Sequence, residues 1–311
     1  MNHIDVSVII CVRNGAKTLG RQLDALDNQV DHPPFEVIVV DNGSTDDTVE
    51  VVERWRAGRN SAKAPARLIR ADDRPSIPYA RNVGALAASG RIFAYCDADD
   101  RVGTRWVGAL HRALTDDGMV GGRIEGVSPS GQPLPGTFPH GLTSTTYLPH
   151  ARNFNLAVPR RFFAMIGGYD ESLPRYGFED VDICWRAQEA GFPLTYCPEA
   201  VIFFSVSPKI TAVKKEFLIA QGRVAMSRRH PQAFRGFTLA RCLGNLGAHA
   251  ALLPWRMIRP GPVTRSRHVR HLVDACGFLA GYFNYGWGRT QPILLSPAQF
   301  GLPAGRTGSE T

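Results

Sequence analysis

Three clusters of side chains in this 311-residue chain have the types and spacing to do chemistry. Asp97-Ala98-Asp99-Asp100 closes an apolar run. Alternate carboxylates at a strand end can share one divalent cation, whose octahedral preference leaves positions for water and a diphosphate. Such a cation would neutralise a departing diphosphate as a Lewis acid. The same tetrapeptide also fits an acidic turn capping the next helix. Asp41, in Val39-Val40-Asp41-Asn42-Gly43-Ser44, is a second strand-end carboxylate. It can accept hydrogen bonds from a base N–H or a ribose hydroxyl, although Asp, Asn and Gly favour turns without any ligand. In the third cluster, Gly167-Gly168-Tyr169-Asp170-Glu171 precedes Gly177-Phe178-Glu179-Asp180-Val181-Asp182. Asp180 falls near a helical first turn, where a carboxylate can take a proton from an acceptor hydroxyl or merely complement the helix dipole.

The elements that must position these groups alternate. Val6 to Val12, Phe35 to Val40 and Arg91 to Cys96 are short apolar runs rich in β-branched and aromatic residues, and Arg67 to Arg70 is a shorter one. Each reads as a strand. Between them, Leu19, Leu23 and Leu26 keep helical spacing, Ser44 or Thr45 is a candidate N-cap for a helix through Trp55, and Ala80 to Ala88 is a small-residue helix. This β-α-β-α order predicts an α/β fold with a mostly parallel sheet flanked by helices. Ligands in such sheets sit beyond the carboxyl ends of the strands, where Asp41 and Asp97 lie. Residues 126–150 are rich in Gly, Pro, Ser and Thr and read as a long loop.

Beyond residue 205 the pattern turns helical. Leu239, Cys242, Leu243, Leu246, Ala250 and Leu253 form a stripe expected to end near Pro254, and a second apolar segment, Leu272 to Trp287, is broken by Asp274 and several glycines. Charge divides at the same place. Residues 1–204 carry 21 Lys+Arg against 25 Asp+Glu, and residues 205–311 carry 15 against 3. A basic appendage behind a slightly acidic body points to an anionic partner surface. No recognisable nucleic-acid module accompanies it, so nucleic acid is not expected as a partner. The six cysteines lack CxxC or zinc spacing and read as core residues in a reducing compartment. Neither a leader nor a run of ~20 apolar residues is visible, so a cytoplasmic protein without a spanning anchor is expected.

The ordered set of an acidic strand end, D-x-D, G-G-[FY]-D-E and E-D-x-D closely resembles the inverting, GT-A fold glycosyltransferases of family 2. The matching stretches are Val6 to Gly15, Val39 to Thr48, Tyr79 to Gly84, Tyr95 to Asp100, Asn153 to Asp170 and Phe178 to Arg186. The resemblance implies a nucleotide-sugar-binding and catalytic domain over residues 1–205, followed by a basic, mainly helical region over 206–311. It also implies that Asp41 contacts the base or ribose, that Cys11, Val12, Arg13 and Asn14 line the same pocket, and that Arg81 lies near the donor phosphates. Asp97, with Ala98, would touch the ribose or sugar, Asp99 would ligate Mg²⁺ or Mn²⁺, Asp180 would be the base, and Glu179 would help position the acceptor. That acceptor would be a hydroxyl of a glycan, a lipid-linked glycan or a small molecule. The loop reads Asp41-Asn42-Gly43 where many members have two aspartates, and Gln221-Gly222-Arg223-Val224 only partly echoes the processive Q-x-x-R-W motif. Single addition is therefore expected. A nucleotidyltransferase or a non-catalytic nucleotide-sugar binder is the alternative.

Arg256, Arg259, Arg265, Arg267, His268 and Arg270 lie between the two C-terminal apolar segments. This is the arrangement of an interfacial element beside anionic lipid headgroups and would place the protein peripherally on the inner face of the cell membrane. A helical subdomain packed on the catalytic core, or a homodimer interface, is the other reading of the same region.

Overall fold

Val6–Val12 (β1), Phe35–Asp41 (β2) and Ala66–Arg70 (β3) are the first three strands of the computed structural model, and Ile92–Asp97 (β4) is the fourth. The structure describes residues 3–60, 63–128, 130–138, 140–174, 177–206, 212–234, 236–258, 262–285 and 291–303. These four strands run parallel in the order β3-β2-β1-β4. The crossovers are α1 (Leu19–Asp27), α2 (Thr48–Ala57) and α3 (Ile77–Ala87). Strand periodicity splits the core in two. Val8, Ile10, Val37 and Val39 face Leu19, Leu23, Leu26 and Val52 on one side, while Ile9, Ile38 and Val40 face Ala80 and Ala85 on the other. The small residues of α3 let that helix lie close: a Cβ at Gly84 would come within 2.5 Å of the Ile9 side chain.

The sheet continues through β5 (Arg101–Val102), β6 (Met119–Val127), β7 (Leu156–Pro159) and β8 (Leu194–Ser205), giving eight strands in the order β3-β2-β1-β4-β7-β6-β8-β5. β7 is antiparallel to β4 and β6, β5 is antiparallel to β8, and β6 runs parallel to β8. Helices α4 (Trp106–Ala113), α5 (Arg160–Met165) and α6 (Glu179–Glu189) complete this part of the chain. Between Val127 and His150 the described residues form turns with two isolated bridges.

Two compact units are present: Met1–Glu171, Ile183–Ser207 and Leu294–Thr311 form one, and Ser172–Asp182 with Pro208–Ile293 forms the other. The second unit contains α7 (Ala212–Arg229), α8 (Leu239–Ile258) and α9 (Pro262–Tyr285).

Three sequence expectations are corrected. Ser44 and Thr45 do not cap α2; Asp47 precedes the helix, and the other two are engaged by Asn14, whose backbone N–H donates to Ser44 Oγ at 2.9 Å and whose Oδ1 accepts from Thr45 N at 2.8 Å. Pro254 does not end its helix, because α8 runs on to Ile258. The ring is exposed, so water can take the carbonyl freed by the missing N–H. Asp274 and the glycines do not break the second segment, because α9 is continuous through them. A Cβ at Gly277 would lie 2.6 Å from that of Ala220, and one at Gly281 would lie 2.9 Å from Gln221 Cα, so the glycines are where α9 meets α7. Asp274 faces Arg223 of α7, whose charge opposes the upward pKa shift that burial imposes on it. Of the basic residues expected at a lipid surface, Arg259 and the side chains of Arg256, Arg265, Arg267 and His268 lie outside the described residues. Arg270 is exposed and 3.8 Å from Glu216. No helix among the described residues is long and apolar enough to cross a membrane.

Candidate active site

The parallel register brings three strand ends together. Cys11 is opposite Val40 of β2 on one side and Asp97 of β4 on the other, and Val12 is opposite Asp41. Asp41 and Asp97 therefore flank the end of β1, where a doubly wound sheet binds its ligand.

The loop after β1 is tied to the loop after β2. Asn14 adopts a positive φ of 56°, a conformation asparagine tolerates better than most residues. Gly15 N donates to Thr48 Oγ1 at 2.9 Å, and a Cβ on Gly15 would clash with Val12 Cγ2, so a larger residue there would force a shift. Asp41 is fully buried; its carboxylate accepts from Arg70 Nη1 at 2.7 Å and from Ser44 N at 3.2 Å. The Arg70 side chain that pairs with it is itself half exposed. Asn42, the departure from the two-aspartate pattern, donates through Nδ2 to the carbonyls of Ala71 and Arg74 at 2.6 and 2.9 Å. The residue thus holds the neighbouring loop. Arg13 is exposed, and desolvation pushes the Cys11 thiol up to about 12 against the opposing charge of Arg81.

At the end of β4, the carboxylates of Asp97, Asp99 and Asp100 offer oxygens within 4.8 Å of one another. Arg81, almost wholly buried on α3, donates to Asp97 Oδ1 at 3.2 Å and lies over the Tyr169 ring. Gln22 of α1 holds the backbone here: its Nε2 donates to the Asp97 carbonyl at 3.2 Å and its Oε1 accepts from Val102 N at 2.9 Å. Ala98 is buried and Asp99 exposed. Asp100 is only 3% exposed; one of its oxygens accepts from Ser205 N at 3.1 Å and the other, Oδ2, is buried with no hydrogen-bond partner. Burial first, then the charges of Asp97 and Asp99, push its carboxyl up to about 8 against the opposing Ser205 N–H. Clustered carboxylates, one of them with an orphaned buried oxygen, fit a hard divalent cation, whose charge would offset their mutual repulsion.

The third cluster divides between the two units. Gly167 and Gly168 take positive φ of 78° and 63°. Asn82 of α3 then clasps the backbone of Tyr169, donating to its carbonyl and accepting from its N–H at 2.9 Å each, and it also donates to Glu171. Arg186 donates to the carbonyls of Ile166 and Gly168. The G-G-Y-D-E segment is therefore a strut within the first unit. Glu179 and Asp180 start α6 and belong to the second unit. Phe178 before them has a φ of 74°, and Asp180 Oδ1 accepts from Val181 N at 2.9 Å.

Sequence reasoning passed over Gln22, Asn82, Arg70 and the orphaned oxygen of Asp100. Gln22 had a signal, being a polar residue on the stripe of Leu19, Leu23 and Leu26. Arg70 and Asn82 depend on partners 29 and 87 residues away, and Asp100 is set against Ser205, 105 residues on, so none of the three had one.

Similarity to known proteins agrees with this architecture. The family described as Glycosyl transferase family 2 matches residues 7–166. The chain belongs to this family. The glycosyltransferase AglE of Haloferax volcanii is 28% identical over 234 residues, covering 70% of this chain and 73% of that protein. The pre-mycofactocin glycosyltransferase of Mycobacterium tuberculosis is 30% identical over 219 residues, covering 65% of this chain but 43% of its relative. Among solved structures, the mannosyltransferase PcManGT of Pyrobaculum calidifontis, in complex with GDP-Man and Mn²⁺, superposes with a TM-score of 0.60 at 18% identity, covering 93% and 89% of the two chains. GalNAc-T7 with UDP, GalNAc and Mn²⁺ gives a TM-score of 0.57 at 16% identity, covering 92% of this chain and 57% of that one. These likenesses establish the GT-A fold of the family 2 chain.

Proposed function

We propose that this family 2 glycosyltransferase moves a sugar from a nucleoside-diphosphate sugar to an acceptor hydroxyl with inversion at the anomeric carbon. The observation that carries the reading is the group of Asp97, Asp99 and Asp100 carboxylates at the end of β4, with Arg81 against it. Asp99, the exposed member, would hold Mg²⁺ or Mn²⁺. When bound, the cation supplies Lewis-acid stabilisation of the departing diphosphate. Arg81 adds positive charge for the donor phosphates, and the Cys11–Asn14 and Asp41 loops line the nucleoside pocket. Asp180, at the start of α6, takes the proton of the acceptor hydroxyl, and Glu179 orients that acceptor. A carboxylate base and a leaving diphosphate acting in one displacement invert the anomeric centre. The acceptor class that best suits the basic C-terminal region is a glycan or lipid carried on a membrane.

The test is a thermal-shift panel of UDP-, GDP- and dTDP-sugars with and without Mn²⁺, because a ligand that binds the native state raises apparent stability. A response to one donor only when Mn²⁺ is present supports the reading, and no response to any donor defeats it. Asp180→Asn should lose transfer while keeping the donor-induced shift; wild-type turnover in that variant would overturn the base assignment.

Peripheral attachment to an anionic membrane is favoured by a separate observation. Leu243 and Leu252 of α8 are 49% and 40% exposed, in a helix stretch without a charged residue between Arg241 and Arg256. Co-sedimentation with phosphatidylglycerol vesicles but not with neutral ones is expected. Equal partition would discard attachment, and self-association through this face would reassign it to a dimer.

A further inference from the structure

Asp182 is the last carboxylate of the E-D-x-D segment, yet it is 0% exposed, as is His230 beyond the end of α7. Their side chains meet at 3.2 Å, His230 Nε2 to Asp182 Oδ1. Both residues belong to the second unit. We infer that His230 and Asp182 form a buried positioning pair that fixes the first turn of α6 and, through it, the carboxylate of Asp180. The inference rests on the assignment of Asp180 as the base.

The backbone links the pair to the catalytic turn. Asp182 N donates to the Phe178 carbonyl at 2.8 Å, closing the turn that carries Glu179 and Asp180. Phe178 is held in the left-handed region at a φ of 74°, which a bulky residue adopts only where its surroundings enforce it. Helix α7 and the residue that follows it hold this turn at two points. Gly222 leaves room for the Phe178 ring, since a Cβ there would lie 2.6 Å from Phe178 Cδ2. Eight residues further on, His230 holds Asp182. The end of α7 is itself secured: His230 N donates to the Met226 carbonyl at 2.8 Å, Ala233 N donates to the His230 carbonyl at 3.0 Å, and Arg229 Nη2 donates to Ser172 Oγ at 2.7 Å.

A buried carboxylate is costly unless a donor meets it, so Asp182 and His230 are bound to one geometry. With Asp182 ionised, the carboxylate only accepts, and His230 Nε2 is then the donor of the pair. The arrangement divides the labour of the motif: Asp180 does the chemistry, and Asp182 anchors the turn that presents it. A proton acceptor must sit within hydrogen-bond reach of the acceptor hydroxyl, and a displacement of ~1 Å at such a group costs on the order of 100-fold in rate.

The experiment compares His230→Leu, His230→Gln and Asp180→Asn in the full chain. Turnover is read as nucleoside diphosphate released from whichever of UDP-glucose, GDP-mannose or dTDP-glucose shifts the wild-type Tm with Mn²⁺. Hydrogen exchange is read over residues 177–186 and, as a control, over residues 92–100. His230→Leu is expected to lower kcat by about 10- to 100-fold with donor KM within about twofold, and to speed exchange in the first segment alone. His230→Gln places an amide donor near the Nε2 position and is expected to recover most of the kcat. A lowered Tm with wild-type kcat in His230→Leu would mean a structural role only and would overturn the inference, as would a Gln variant no better than Leu. Should His230→Leu fail to fold, His230→Asn, whose donor falls short of Asp182, takes its place with the same expectations. Retained turnover in Asp180→Asn fails the base assignment and the inference with it. Turnover lost in Asp180→Asn but kept in the His230 variants fails the inference alone.

Discussion

Two buried carboxylates at opposite ends of the parallel strands are treated in opposite ways. At the amino end, Glu36 accepts from Ser7 Oγ at 2.7 Å, Ser89 N at 2.6 Å and Arg67 Nη2 at 2.7 Å. Burial pushes its carboxyl upward, but these three donors outweigh it and hold the group below the ordinary glutamate range. At the carboxyl end, Asp100 has one backbone donor, two acidic neighbours and an orphaned oxygen, and its carboxyl rises to about 8. Burial alone therefore does not mark function. Glu36 is a finished structural joint, whereas Asp100 keeps an unmet oxygen beside two acidic neighbours, and a bound cation would favour its ionised form.

The sharpest way to break this contrast is Asp99→Asn. Removing the exposed carboxylate of the cluster should lower transfer by about 10²- to 10³-fold, the several kcal/mol a bound cation contributes. Its effect on Tm should be small, because the side chain is exposed. A large Tm loss with activity intact would show the cluster to be structural.

Glu36→Gln should do the reverse. Losing a buried, charge-assisted acceptor costs about 2 kcal/mol, read by urea denaturation, with kcat below Tm unchanged. Unaltered stability would remove the amino-end joint from the comparison.

The two carboxylates should also give opposite pH slopes. Glu36, depressed in the fold, stabilises above the unfolded carboxylate pKa and loses that contribution as pH falls through its folded value. Asp100, raised from 3.8 to about 8, keeps a proton that the unfolded chain has released, so its contribution declines as pH rises across that window. Metal-free Asp100→Asn should therefore match wild type near pH 4, gain a Tm advantage with rising pH, and level off above about 8. Mn²⁺ should close that gap in the wild type. A constant difference across the range would reject the shift.

The smallest effect concerns Cys11, beside the same cluster. With its thiol at about 12, iodoacetamide at pH 8 should label the exposed Cys276 and leave Cys11 unmodified by mass spectrometry.

Much of this was legible along the chain. The β-branched runs of β1, β2 and β4 and the leucine spacing of α1 are local signals, and the structure follows them within a few residues. The motif residues at the strand ends were legible too, because chain order and strand termini place Asp41 and Asp97 on one edge of a parallel sheet. What misled was punctuation. Pro254, Asp274, Gly277 and Gly281 look like helix breakers, but the last three are contact points between α9 and α7, and Pro254 is simply exposed on α8.

The sequence by itself determined the α/β alternation, the acidic strand ends and the family, since each depends on residue types at short spacing. Only the tertiary structure decided that Asp41 is paired with Arg70, that Asn82 clasps the Tyr169 backbone, that Asp100 keeps an unmet oxygen and that Asp182 meets His230. Those outcomes turn on which donor lies within 3 to 4 Å of a buried oxygen. Partners 29 to 105 residues apart leave no periodicity in the chain to announce them.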